Sequence, residues 1–183
     1  MKYHLKKMNL PLTNFEDLEA KFNTAVNSEQ YGALVDLCKK HSEIYVIGNG
    51  GLHYVASHMA TDMSRLLKDK YCYSFDSFGF ITSSANDFGF DSIFEKWLIN
   101  CVPNNQKSLL IGLSCSGKSK NILNAFDYVR QLGWDIYFVT GKPSPPAYDS
   151  LTINAKHFHT VETFCLMLFY ELIHSLGGVC PNI

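Results

Sequence analysis

Apolar residues along the chain follow two alternating rhythms. Compact blocks rich in β-branched and aromatic side chains, Ile44-Tyr45-Val46-Ile47, Leu109-Leu110-Ile111, Trp134 to Val139 and about Leu151 to Ala155, predict buried strands, and a segment around Tyr73 to Phe78 predicts a fifth. Elsewhere the apolar positions fall three and four apart, as helices require: Phe15, Leu18, Phe22 and Val26; Tyr31, Leu34, Leu37 and Cys38 within about Glu29 to His41; a run from about His53 to Leu67; Ile93, Phe94, Trp97 and Leu98; the segment after Ser119 up to Leu132; and Val161 to Leu176. Strands that alternate with helices predict a parallel sheet with helices on both faces. Ligands of such sheets bind at the carboxyl ends of the strands, near the point where strand order reverses.

Local signals sharpen these boundaries. Thr13-Asn14-Phe15-Glu16 has capping-box spacing and predicts a helix start, Gly133 predicts a helix C-cap, Pro103-Asn104-Asn105 a turn, and Lys142 to Tyr148, KPSPPAY, a rigid surface loop. Two leading amphipathic helices cannot easily bury both stripes against one sheet. Residues 1–42 are therefore expected to pack on a partner subunit, with 43–183 forming the ligand-binding domain.

Composition narrows the classes. A chain of 183 residues, 46% hydrophobic and 18% charged, suits one globular domain with a sizeable core. Its formal net charge of −1 gives no electrostatic reason to expect nucleic acid or an anionic membrane as partner, so any anion site must be local. The six cysteines form no C-x-x-C pair, and no signal peptide or long apolar span precedes them; they read as thiols of a cytoplasmic protein.

Chemistry concentrates in Ser108 to Leu132. A short apolar strand runs into a loop carrying Ser114, Cys115, Ser116 and Ser119, then into a helix whose N-terminal N–H groups lack internal partners. Hydroxyls and glycine there predict a phosphate or other anion site. Gly112 to Ser119, GLSCSGKS, also satisfies the P-loop pattern, but the next strand ends in Thr140-Gly141 without the Asp that a magnesium nucleotide site needs. Ordinary capping of a strand-to-helix turn is the plainer alternative. A second glycine turn, Gly48-Asn49-Gly50-Gly51, lacks the full dinucleotide fingerprint and predicts close backbone approach to a sugar or phosphate. His58 and Asp62 share a helical face, as a functional pair or as a locally bonded one. Asn86 and Asp87 precede an aromatic-Gly-aromatic turn, where they either meet sugar hydroxyls or cap a helix.

The combination GNGG with H-x-x-x-D, then NDFGF, then SCSGKSKN and VTGK, resembles the sugar isomerase (SIS) domain, most of all the sedoheptulose-7-phosphate (phosphoheptose) isomerases. The resemblance implies a flavodoxin-like three-layer α/β/α fold with a five-stranded parallel sheet, assembled as a homotetramer with active sites between subunits. It implies a sugar phosphate as ligand, with Ser114, Cys115, Ser116 and Ser119 at the phosphate-contacting positions, Asn49, Gly50 and Gly51 on the first sugar loop, and Asn86 and Asp87 on the second. Cys115 and Lys118 depart from the family's Thr and Asn.

Ketose–aldose exchange through an enediol needs a base for the carbon-bound proton and an acid for the neighbouring oxygens. The family uses a Glu and a late His, and some members hold zinc between that Glu, an earlier His, a Gln and the late His. Here Asp62 stands on the Glu, His58 on the early His, Val161 on the Gln and Phe169 on the late His. Asp62 is thus expected as the base, its carboxylate displaced by about 1 Å or more, with His159 or His174 as compensating acid. No cofactor and no metal site is expected, because Val161 and Phe169 cannot ligate. The readings that follow are a modified isomerase, a non-catalytic phosphosugar-binding or interaction protein, and, more remotely, a P-loop nucleotide-binding protein.

Overall fold

The structure is a computed structural model, and it describes residues 17–101 and 107–182. The capping box at Thr13 to Glu16, with Phe15, and the Pro103 turn lie outside the described residues. The elements run α1 (Leu18–Val26), α2 (Glu29–Lys40), β1 (Glu43–Gly48), α3 (Gly51–Leu66), β2 (Tyr71–Ser74), α4 (Phe78–Phe88), α5 (Ile93–Cys101), β3 (Leu109–Ser114), α6 (Lys120–Gln131), β4 (Asp135–Thr140), β5 (Ser150–Thr152) and α7 (Phe158–Ser175). Among the described residues no helix is long and apolar enough to cross a membrane.

The five strands lie in the order β2-β1-β3-β4-β5, and every pairing is parallel. From β1 the chain goes first to one side and then to the other, so the switch point falls between β1 and β3. Side chains alternate across the sheet with period two. Ile44, Val46, Leu109, Ile111, Leu113, Tyr137 and Val139 join one apolar cluster, with α2, α3 and α7. Tyr45, Ile47, Leu110 and Phe138 join the other, with α5 and α6. These two clusters make the three-layer α/β/α arrangement that the rhythm of the sequence predicts.

The strands at β1, β3, β4 and β5 fall where the apolar blocks place them, within a few residues. The middle of the chain differs. The expected strand from Tyr73 to Phe78 is β2, four residues long, Tyr71–Ser74, and Phe78–Phe88, beyond Phe78 assigned to no element from the sequence, is the helix α4. Ser77 caps α4 by accepting from the Phe80 N–H at 3.3 Å, and Phe80, Ile81 and Ala85 pack at helical spacing against the core. The hydroxyls of Thr82 and Ser83 donate back to helical carbonyls, which lets polar residues sit within α4.

The leading helices split in their packing. α2 buries Tyr31, Leu34, Val35 and Cys38 in the core and accepts a 2.6 Å bond from the Tyr137 hydroxyl at the Gln30 carbonyl. α1 has no buried residue and rests Phe22 edge-on against Phe164, ring centroids 5.7 Å apart. At the C-terminus of α2, Lys40 Nζ and His41 Nε2 each lie 2.6 Å from Asp135 Oδ2, tying α2 to β4.

Burial raises the Asp135 carboxyl, but the bonds from Lys40 and His41 outweigh it and leave the folded value below the ordinary 3.8. A depressed folded value stabilises the protein at pH above the unfolded one, and that contribution is lost as pH falls through the folded one. Asp135→Asn should therefore lower the unfolding free energy obtained from urea denaturation at pH 7 by roughly 1 kcal/mol at most, as for partly exposed ion pairs. The difference from wild type should shrink below pH 4, and an equal difference at pH 3 and pH 7 would contradict this account.

Candidate functional site

The carboxyl ends of β1 and β3 point the same way, so the two glycine and serine loops lie side by side at the switch point. After β1, Gly50 takes φ 59° and ψ −127°, a conformation that suits glycine, and the chain turns at once into α3. After β3, the buried Ser114 Oγ lies 2.9 Å from Ser119 Oγ and accepts from the Gly117 N–H at 3.1 Å. Ser116 Oγ accepts from the Lys118 N–H at 3.1 Å, and both side chains are exposed. Ser119 is the N-cap of α6, yet its side chain makes no capping bond because it faces Ser114. The serines thus shape the loop that leads into the α6 N-terminus, where hydroxyls stand beside helix N–H groups that lack internal partners, a chemistry that suits an anion.

A pair of amides ties the two loops together. Asn49 Nδ2 donates to Asn121 Oδ1 at 3.0 Å, and Asn121 Nδ2 donates to Asn49 Oδ1 at 2.8 Å. Asn121, buried at the start of α6, also accepts from the Ile122 N–H at 3.0 Å. Asn49 therefore serves first to hold the loop, with one N–H to spare. Asn121 was visible in the SCSGKSKN run, but its partner is 72 positions away and nothing local reveals it.

The third contributor is the first turn of α7. A Cβ placed on Gly51 would lie 2.3 Å from Glu162 Oε1 and 2.6 Å from Oε2, so the Glu162 carboxylate occupies the space that a side chain at 51 would fill. Burial first, and the Glu162 charge second, push the Cys115 thiol up to about 11. Glu162 thus stands between the first loop and the serine loop. The sequence alone assigned it no role. Its signal was the GNGG turn, where a glycine at 51 leaves room for a group from elsewhere in the chain.

The other expected residues are placed differently. Asn86 and Asp87 occupy the last turn of α4 rather than a turn preceding a helix; both are exposed, and Asn86 Nδ2 donates to Asp87 Oδ1 at 2.8 Å. The segment after them meets α6, where the Asp91 carbonyl accepts from Asn124 Nδ2 at 2.9 Å and Asp91 Oδ2 lies 3.7 Å from Lys120 Nζ. Asp62 is buried toward the C-terminal end of α3, where Tyr170 OH donates to its Oδ2 at 3.2 Å and Arg65 lies 3.4 Å from its Oδ1. His58 Nε2 is 3.1 Å from the same Tyr170 hydroxyl and 3.7 Å from Asp62 Oδ2. Burial and the Asp62 carboxylate hold the Tyr170 hydroxyl above its ordinary 10.0.

At 1.5 Å of rise per residue, Asp62 lies about 16 Å along α3 from Gly51. His159, in the first turn of α7, stacks on His157 at 5.3 Å, whereas His174 is exposed in the last turn, about 22 Å away along the same helix. The two alternatives for the compensating acid thus stand at opposite ends of α7. Val161 and Phe169, 2% and 1% exposed, are sealed in the apolar core.

Comparison with known proteins now bears on this arrangement. Residues 6–141 match the SIS domain family. The chain belongs to that family. A phosphoheptose isomerase of Yersinia enterocolitica is 30% identical over 141 residues, covering 73% of this chain and 72% of its own. One from Histophilus somni is 28% identical over 151 residues, covering 76% and 75%. Among solved structures, the phosphoheptose isomerase of Neisseria gonorrhoeae superposes with a TM-score of 0.75 at 18% identity, covering 87% of this chain and 91% of that one, which shows the shared fold.

Two readings of this SIS domain can be tested against its residues. Some members of the family hold zinc, but among the described residues no three His, Cys, Asp or Glu side chains come together as ligands. Tyr170 bridges His58 and Asp62, Arg65 faces the second Asp62 oxygen, and the two matching positions on α7 are buried apolar groups, so the residues present do not fit that ion. For the P-loop pattern, β4 ends at Thr140 and is followed by Gly141, with no carboxylate to hold a magnesium ion. The literal match reflects hydroxyl and glycine usage at a strand-to-helix turn.

Because its thiol is raised to about 11, Cys115 should be almost wholly protonated at neutral pH despite its place in the loop. Iodoacetamide labelling at Cys115, followed by peptide mass spectrometry, should be slow at pH 7 and accelerate as pH approaches 11. Rapid labelling at pH 7 would contradict the burial of Cys115 first and the charge of Glu162 beside it second.

Proposed function

We propose that this SIS protein binds a sugar phosphate and interconverts its ketose and aldose forms, with a phosphoheptose as substrate class. The observation that carries the reading is the serine loop, in which Ser114 fixes Gly117 and Ser119 while Ser116 and the α6 N-terminus face outward. Neutral hydroxyls and helix N–H groups hold a phosphate without a dedicated cation, and exposed Lys118 adds charge at the rim. The family and the named activity of its relatives support the substrate class. Asn49, Gly50 and Gly51 face the sugar in this reading, with Asn86 and Asp87 at its outer side. A homotetramer in the cytoplasm completes the proposal. In it, sites between subunits would let Asp62, His159 and His174 of one chain approach the serine loop of another.

A second reading is binding without turnover. It is favoured by the burial of Phe169 and Val161 in the core, which puts no proton-transfer group at those two positions.

Two measurements test the proposal. Ser116→Ala should weaken calorimetric binding of sedoheptulose 7-phosphate by roughly 1 kcal/mol or more, since a neutral hydroxyl donating to a charged group contributes on that scale; unchanged affinity would count against the loop. Light scattering of the wild-type chain at micromolar concentration should report a tetramer, and a monomer would remove the intersubunit part.

A further inference from the structure

The phosphate loop and the GNGG turn meet at a carboxylate, and that carboxylate is Glu162. Its oxygens lie where any side chain on Gly51 would have to go, at the first residue of α3 and beside Cys115 in the serine loop. A sugar whose phosphate occupies the serine loop would carry its carbon chain past this point. Asp62 differs on both counts: it lies about 16 Å further along α3 by helical rise, and Tyr170 and Arg65 already engage its two oxygens.

We propose that Glu162 is the base that moves the carbon-bound proton in the ketose–aldose exchange. The inference rests on the sugar-phosphate isomerase reading above. The Glu162 carboxylate takes a proton from C1 of the ketose. The electron pair of that C–H bond becomes the C1=C2 double bond, and the former carbonyl oxygen on C2 takes a proton from water. The C1 hydroxyl then gives its proton to water as C1=O forms, the double-bond pair takes the proton from Glu162 at C2, and the aldose results with Glu162 again ionised. No oxidant, reductant or metal enters the balance. A Cβ at Gly51 would displace the carboxylate from this place, so the last glycine of the turn leaves room for the base as well as opening the helix.

A purely structural role is the competing account, since a carboxylate beside a helix N-terminus is favourably placed by charge alone. The test uses full-length protein with sedoheptulose 7-phosphate as probe in deuterium oxide, reading solvent deuterium at C1 and C2 by NMR beside calorimetric affinity and thermal melting. Glu162→Gln should lose exchange and turnover by about 100-fold or more, the scale of general base catalysis, while affinity and melting stay near wild type. Glu162→Asp should recover part of the rate, and Gly51→Ala should reduce it. If Glu162→Gln keeps its exchange, or loses it only together with affinity or folding, the proposal is overturned. Activity in Glu162→Gln with none in Asp62→Asn would assign the role to Asp62. Wild-type protein that binds the probe without exchange would overturn the isomerase reading and the role of Glu162 but leave the phosphate loop standing; failure to bind would overturn all three.

Discussion

Close approach of backbone and side chain at the β1/β3 switch point is the constraint on which the rest of the site depends. Glu162 fits because position 51 lacks a Cβ, and the serine loop can lie against the end of β4 because Gly141 lacks one, where a Cβ would stand 2.6 Å from the Cys115 carbonyl. The parallel sheet makes such crowding unavoidable, since it delivers every strand's carboxyl end to one edge. The reciprocal Asn49–Asn121 pair then fixes the spacing of the two loops with groups that would otherwise be buried and unsatisfied.

The chemistry divides along this edge. Uncharged donors gather at the serine loop, which suits an anion, and a carboxylate stands at the neighbouring glycine turn, which suits a proton-transfer group. The charged cluster of His58, Asp62, Arg65 and Tyr170 lies elsewhere, where α3 meets α7. Its members satisfy one another, as partly buried polar groups must. Metal chemistry draws no support from it, because its acceptor oxygens are already taken by a phenol and a guanidinium.

Much of the fold was legible because its signals are local. Ile44 to Ile47 and Leu109 to Ile111 are apolar runs of strand length, and Gly48 to Gly51 and Ser114 to Ser119 follow them as turns. The serine loop was legible for the same reason. α4 was missed because Thr82, Ser83, Ser84 and Asn86 interrupt the apolar pattern, whereas Ser77, Phe80, Ile81 and Ala85 supply a cap and an apolar face at helical spacing. The roles of Glu162 and Asn121 depend on contacts with Gly51 and Asn49 far away in sequence, which no local pattern encodes. Helical spacing correctly put His58 and Asp62 on one face, but it could not show that Tyr170, 108 positions from Asp62, closes that face.

The central claim is that the serine loop is where a sugar phosphate is held. An alternative space exists: a groove of about 1090 Å³ lined by α1 and β5 residues, with Lys21, Lys142 and Lys156 on its walls. The most direct measurement is a crystal structure of the protein grown with sedoheptulose 7-phosphate. The account predicts phosphate oxygens within hydrogen-bond distance of the Ser116 and Ser119 hydroxyls and the first amides of α6, with the sugar passing over Gly51. A phosphate seated among the lysines of the α1–β5 groove, with the serine loop untouched, would contradict it.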